Sequence, residues 1–183
     1  SLDAGTTILS LEEFSLEKIS RECVLQQKDK LDESGISYKI YKNCRRDTIQ
    51  ADPKAISQVI NHLLSNAIKF SPEKSHIDLD IVKAELDLYN KHSKKILAVA
   101  ALKFSIKDYG KGVIAEDCER IFDNFEQGGD QQVGLSNGSG LGLAICKKII
   151  EKHQGKIWAE NHSEGGALFS FILPFEQPFY TKI

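Results

Sequence analysis

The sequence predicts an α/β (α+β) two-layer sandwich: a mixed, mainly antiparallel sheet covered on one face by about three helices. Three observations carry this. Apolar residues recur at helical spacing in three separated stretches, and period-two alternation fills the segments between them. The last two alternating runs are joined by Glu164-Gly165-Gly166, a connection that makes them an antiparallel hairpin.

Ser15 is placed to cap a helix with apolar positions Leu16, Ile19, Cys23, Val24 and Leu31, ended by Gly35. Ile36, Tyr38 and Ile40 then alternate as a strand. Asp52-Pro53 is a helix start, an N-cap followed by proline at the first helical position. That helix runs to about Phe70 on a stripe of Ile56, Val59, Ile60, Leu63, Leu64, Ala67 and Ile68. Ile77, Leu79 and Ile81 form a strand, and the polar stretch 85–95 reads as a hairpin loop or insertion. Leu102, Phe104 and Ile106 form the next strand, which stops at Asp108. A short helix is expected over about 116–122, then a Gly- and Gln-rich loop over 127–138. A second long helix begins near Gly140 and ends before Gly155, and a terminal hairpin spans 156–161 and 167–173. The chain after Pro174 is expected to be loosely held.

Composition narrows the function classes. At 183 residues the chain suffices for one domain with a sizeable core. A net charge of −2 gives no electrostatic case for nucleic acid. No apolar run approaches the roughly 20 residues that span a bilayer, and residues 1–10 lack the features of a signal peptide. No membrane contact by this chain is expected. Cys23, Cys44, Cys118 and Cys146 form no C-x-x-C pair, which suits a reducing, cytoplasmic setting. Methionine is absent throughout, as in a fragment excised from a longer protein.

Three constellations carry chemistry. His62, Asn66 and Lys69 fall at i, i+4 and i+7, one polar row opposite the apolar stripe of their helix. Asn offers a neutral oxygen to a hard cation such as Mg²⁺, and Lys a point charge to phosphate. Taken alone, the row reads equally well as a solvated helix face. Asp108-Tyr109-Gly110-Lys111-Gly112 follows a strand directly. A carboxylate there can accept from an exocyclic amine such as that of adenine, and the glycines let backbone approach a flat ring. It reads otherwise as an ordinary turn. Asn137-Gly138-Ser139-Gly140-Leu141-Gly142-Leu143-Ala144 opens a helix, where bare N–H groups and the helix dipole favour an anion. It fits neither a Rossmann fingerprint nor a Walker A loop, and its bland reading is a hinge.

In this order the pieces resemble the Bergerat ATP-binding fold of the histidine kinase, gyrase, chaperone and MutL superfamily, and within it the catalytic and ATP-binding domain of sensor histidine kinases. The segment from His62 to Phe70 resembles the N box, Asp108 to Gly112 the G1 box, Phe122 to Gln127 the F box, and Gly138 to Ala144 the G2 box. The resemblance covers roughly residues 15–174.

The resemblance implies ATP and Mg²⁺ as cofactors. Asn66 would hold Mg²⁺, Lys69 would contact phosphate and Phe70 would line the nucleotide pocket. Asp108 would bind the adenine amine, with Gly110 and Gly112 shaping the base pocket. Residues 127–138 would be a mobile lid over ATP, anchored by Phe122 and Phe125. Gly138, Ser139, Gly140, Leu141 and Gly142 would cradle the triphosphate. The N box departs from the family at His62, where asparagine is usual and the ATP-hydrolysing branches carry a glutamate base. An imidazole there is expected to stabilise phosphate charge.

The domain layout that follows is a remnant of a dimerisation helix hairpin over 1–14, the ATP-binding domain over 15–176 and a tail over 177–183. None of His62, His76, His92, His153 and His162 lies in a phosphoacceptor context, being followed by no acidic residue on a long dimerisation helix. The implied partners are therefore the histidine-bearing dimerisation domain of the same parent protein and, indirectly, a response-regulator receiver domain, with the isolated domain monomeric. The alternative is a degenerate nucleotide-binding module that switches conformation without phosphotransfer.

Overall fold

The computed structural model describes residues 8–123 and 142–177. A five-stranded mixed sheet in the order β2-β4-β5-β7-β6 carries the fold, built from β2 (Ser37–Asn43), β4 (His76–Asn90), β5 (Lys95–Lys107), β6 (Lys156–Asn161) and β7 (Ala167–Pro174). Only the β2–β4 pairing is parallel. Side chains line up across the register in rows: Ile81 faces Phe104, which faces Phe171, and Leu79 faces Ile106, which faces Phe169. Phe104 and Phe171 stack at 4.9 Å between ring centroids. These rows lie under the helices α1 (Leu16–Gln26), α3 (Pro53–Phe70) and α4 (Gly142–Lys152) and share one buried cluster with them.

Helix α3 lies between α1 and α4 and supplies the core stripe the sequence predicts, from Ile56 to Ile68. The Asp52 side chain caps it by accepting from Ala55 N–H at 3.2 Å. The Ser15 cap and the left-handed Gly35 also stand where expected, but the helix between them is broken. It divides into α1 and α2 (Lys28–Ser34) at Gln27, whose φ of −108° and ψ of 12° leave helical geometry. The Gln27 amide donates to the Asn61 backbone carbonyl on α3 at 2.8 Å, a tertiary bond with no local signature.

Four expectations are corrected. A second, two-stranded sheet, β1 (Glu12–Ser15) with β3 (Thr48–Ala51), was not foreseen; it closes the α1 end, where Asp47 and Ser15 hydrogen-bond. The stretch 85–95 is not a loop: β4 and β5 continue as a ladder to Asn90↔Lys95, leaving only a four-residue turn. Residues 116–122 form no α-helix; a 3-10 turn (Ala115–Asp117) takes its place. The chain just after Pro174 is held, because Phe175 is buried, its carbonyl accepts from Gln50 N–H at 2.8 Å and its N–H donates to the Ala100 carbonyl at 3.1 Å.

Helices α3 and α4 are tied by a fully buried histidine. His153 Nδ1 lies 2.7 Å from the Ile149 carbonyl, and Nε2 accepts from Asp52 N–H at 3.0 Å. That pairing requires the neutral ring, with the proton on Nδ1. Burial lowers the His153 pKa from its ordinary 6.5, against opposing contributions from the Ile149 carbonyl and Asp52; burial also lowers His62. The unfolded chain therefore binds protons that the folded chain refuses. Stability is expected to be full above about pH 6.5 and to fall as pH drops below it, by up to about 1.4 kcal/mol per pH unit for each histidine. Urea titrations from pH 7.5 to 5.5 check this. His153→Gln should flatten the slope to the contribution of His62, and an unchanged slope would remove His153 from the account.

Candidate functional site

The site lies where the ends of α3 and β5 meet the start of α4. Asp108 stands one residue beyond β5 and is 3% exposed. Its Oδ1 accepts from Gly110 N–H at 2.9 Å and from Ala167 N–H at 3.2 Å, and its own N–H donates to the Ala167 carbonyl at 3.0 Å. One carboxylate oxygen thus fastens the turn to β7. The other, Oδ2, makes no hydrogen bond among the described residues. Burial raises the Asp108 pKa, and the two backbone N–H donors oppose that rise.

The glycines in and around this turn are required by contact. A Cβ on Gly110 would lie 2.2 Å from the Phe70 carbonyl oxygen, so the turn rests directly on the end of α3. A Cβ on Gly166 would lie 2.0 Å from the Asp108 carbonyl. Gly112, with φ +78°, sits against the Asn161 amide. Asn161 closes the turn from the other side: Oδ1 accepts from Val113 N–H at 2.7 Å and Nδ2 donates to the Val113 carbonyl at 2.5 Å. Sequence reasoning missed Asn161, Gly166 and Ala167. They are distant in sequence from Asp108, and the β5–β7 and β6–β7 registers together bring them to its turn.

The polar row of α3 forms a second wall. His62 and Asn66 are half-buried and Lys69 is exposed, its Nζ 5.4 Å from the Phe70 ring centroid. The first residue of α4 presses on His62: a Cβ on Gly142 would lie 1.8 Å from its Cε1. This contact explains a glycine in the first turn of a helix, where it otherwise costs stability. Burial lowers the pKa of the His62 imidazole. A cleft of about 380 Å³ opens beside it, lined by Gln58, Asn61, His62, Ser65, Gly142, Ile145 and Cys146. Burial pushes the Cys146 thiol up to about 12, so it acts as core.

His62 and Gly142 are therefore brought together, as are Phe70, Asp108 and Gly110. Phe122, an expected anchor, is 4% exposed and packs edge-on against Phe169 at 6.1 Å. Phe125, Gly138, Ser139, Gly140 and Leu141 lie outside the described residues, as does the expected lid. No group of three or more His, Cys, Asp or Glu side chains that could cage a metal occurs among the described residues. Asn66, which makes no side-chain hydrogen bond among them, offers one neutral oxygen. That donor set suits a hexacoordinate cation bringing most of its shell with it, as Mg²⁺ does on phosphates.

The candidate site thus sets a buried carboxylate with one free oxygen beside a polar helix row and a glycine-led helix start. Residues 51–177 match the family of histidine kinase-, DNA gyrase B- and HSP90-like ATPases, and the chain belongs to that family. Within it, the likeness is to sensor histidine kinases. The chain is 35% identical to the sensor protein KdpD of Clostridium acetobutylicum over 95% of its own length, and 34% identical to the sensor histidine kinase WalK of Bacillus subtilis over 70%. It spans 18% and 19% of those two proteins. The nucleotide-free catalytic domain of histidine kinase ThkA superposes with a TM-score of 0.72 at 29% identity, covering 92% of this chain and 97% of that one. The expected two-layer sandwich is the fold observed. No helix among the described residues is long and apolar enough to cross a membrane.

The contact between Gly142 and His62 makes a prediction. Gly142→Ala should destabilise the protein by about 1–3 kcal/mol through overpacking. His62→Ala should restore much of that loss in the double variant, because it removes the atoms the new methyl meets. A double-mutant cycle by urea unfolding measures the coupling. Strictly additive effects would show that α4 does not rest on the imidazole.

Proposed function

We propose that the chain binds Mg·ATP and presents the γ-phosphate to a histidine on the dimerisation domain of its parent protein, as the first step of two-component signalling. The observation that carries this reading is the buried Asp108, with Oδ1 committed to two backbone amides and Oδ2 left for a ligand donor. An ionised carboxylate oxygen is the partner an adenine exocyclic amine needs. Gly110 and Gly112 let the backbone of the turn come close to the ring.

Phosphoryl transfer asks the protein chiefly for position and charge compensation. Asn66 would hold Mg²⁺, which would neutralise phosphate charge. Lys69 would add a point charge. His62, its pKa lowered by burial, would donate one ring N–H to a phosphate oxygen. Gly138, Ser139, Gly140 and Leu141, with Gly142, would offer backbone N–H groups at the start of α4. Phe125 would anchor the lid over residues 127–138. The response-regulator receiver domain would take the phosphoryl group afterwards and so meets this chain only indirectly. The ThkA kinase has been solved in complex with the response regulator protein TrrA, which supports a response regulator among the partners. The setting implied is cytoplasmic, with the parent free to be membrane-anchored.

Asp108→Asn tests the base contact with little disturbance of the turn. The amide oxygen can still accept from Gly110 and Ala167, while Nδ2 places a donor where Oδ2 accepted. ATP affinity should fall by the equivalent of roughly 1.5–3 kcal/mol, and a 6-oxo purine triphosphate should gain relative to ATP. Calorimetry of both ligands, with thermal unfolding to establish an intact fold, decides it. Undiminished ATP binding would remove Asp108 from the adenine contact.

Transfer itself is tested with γ-labelled ATP. The chain alone should acquire no acid-labile label, and addition of the parent's dimerisation domain should restore labelling of that domain, weakly, because tethering no longer raises the local concentration. Binding without transfer under both conditions would instead favour the nucleotide-operated switch. Stoichiometric phosphohistidine in the chain alone would overturn the proposed division of labour.

A further inference from the structure

The β4–β5 hairpin outgrows the sheet it belongs to. Its pairing with β2 ends at Asn43↔Val82, and the ladder with β7 begins only at Ala101↔Pro174. Residues 83 and 84 still pair with Leu102 and Ala101, and beyond them residues 85–90 and 95–100 pair only with each other among the described residues, apart from the Phe175 N–H donated to the Ala100 carbonyl. Eight strand residues at a rise of about 3.3 Å carry the tip on the order of 25 Å past the last β2–β4 pair. A two-stranded ribbon is marginal by itself, but Leu86 and Leu88 are buried in a small cluster with Ala101 and Ile172, which braces its base.

The tip is ordered and chemically distinct. Asn90 Oδ1 accepts from His92 N–H at 2.9 Å and Ser93 N–H at 3.1 Å, and Lys94 takes φ +55° to close the turn. From Leu88 to Leu97 the sequence holds Lys91, Lys94 and Lys95 and no acidic residue. None of the three lysines forms an ion pair among the described residues. Beside them stand Tyr89 at 59% exposed, Ile96 at 71% and Leu97 at 45%. The chain's net charge is −2, so everything outside these three lysines sums to −5.

We propose that this tip docks on an anionic lipid surface, with Lys91, Lys94 and Lys95 among the headgroups and Tyr89, Ile96 and Leu97 entering the interface. A projecting convex turn offers no cleft to a folded acidic partner. Exposed aliphatic side chains beside lysines gain from an interface that is apolar below and anionic above. The acidic remainder of the chain is repelled by the same surface, which orients the domain tip-first. The expectation from the whole-chain reading, that no part contacts a membrane, is set aside for this one element, which touches a bilayer without spanning it.

Sedimentation of the intact chain with vesicles tests the proposal, one set pure phosphatidylcholine and the other about one-third phosphatidylglycerol. Binding is expected only to the anionic set and should weaken with added salt. Replacing Lys91, Lys94 and Lys95 together by Gln should cost on the order of 100-fold, from about fivefold for each lysine. Ile96→Ser with Leu97→Ser should weaken binding further, and a Tyr89→Trp reporter should shift its emission to the blue on anionic vesicles. These side chains are exposed, and unchanged thermal unfolding establishes that each variant is folded. No binding of the wild type to anionic vesicles overturns the proposal. So does equal binding of the wild type and the lysine variant. Equal retention on soluble polyglutamate, insensitive to Ile96 and Leu97, would show an acidic polypeptide to be the partner and overturn the lipid assignment.

Discussion

Helix α3 works under one constraint that organises everything around it: a single 18-residue helix must bury one face and expose a working row on the other. Ile56, Val59, Ile60, Leu63 and Leu64 are all fully buried against the sheet rows and the flanking helices. With that stripe locked, the opposite row of His62, Asn66 and Lys69 has no rotational freedom left. The caps set the ends of the row. Asp52 fixes the start, and the Phe70 carbonyl, against which Gly110 rests, marks where the turn after β5 packs on the helix end. Because α4 is tied to the start of α3 through His153 and leans on His62 through Gly142, the two helices hold a defined separation.

The opposite wall is fixed by a different device. Asp108 uses one carboxylate oxygen to hold the turn and leaves the other without a hydrogen bond among the described residues. That division is possible because the β6–β7 hairpin delivers Ala167 N–H and the Asn161 amide to the turn, and because Gly166 has no side chain to hold them off. A carboxylate so deeply placed is costly unless its hydrogen-bond capacity is used. The two backbone donors meet part of the cost, and a ligand amine would meet the rest. The sheet register and the hydrogen bonding of Asp108 are therefore fixed together.

Much of this was legible in residue order. The Asp52-Pro53 start, the α3 stripe, the strands ending at Asp108 and the last hairpin all follow local rules of capping and periodicity, and they stand where those rules put them. The errors share a cause. Gln27 breaks a helix because Asn61 of α3 offers it a partner, and β1 pairs with β3 across more than thirty residues of intervening chain. The polar stretch 85–95 looked like a loop for its many charged and polar residues, although Glu85 and Asp87 alternate with Leu86 and Leu88 as in a strand. The ladder nevertheless runs to its end, because one face finds Ala101 and Ile172 to bury against.

The sequence by itself determined which chemistry is present. It placed an asparagine and a lysine on one helical row, an aspartate at a strand end followed by two glycines, and a glycine-led helix start, because such patterns are dictated by geometry within a few residues. Tertiary structure alone decided how those groups are held. It chose which oxygen of Asp108 stays free, lowered the His62 pKa by burying the ring, recruited Asn161 to the turn and left the β4–β5 tip standing clear of the sheet. The reason is physical: burial, register and close approach are properties of pairs of segments far apart in the chain, and they exist only once the sheet and its helices have closed on each other.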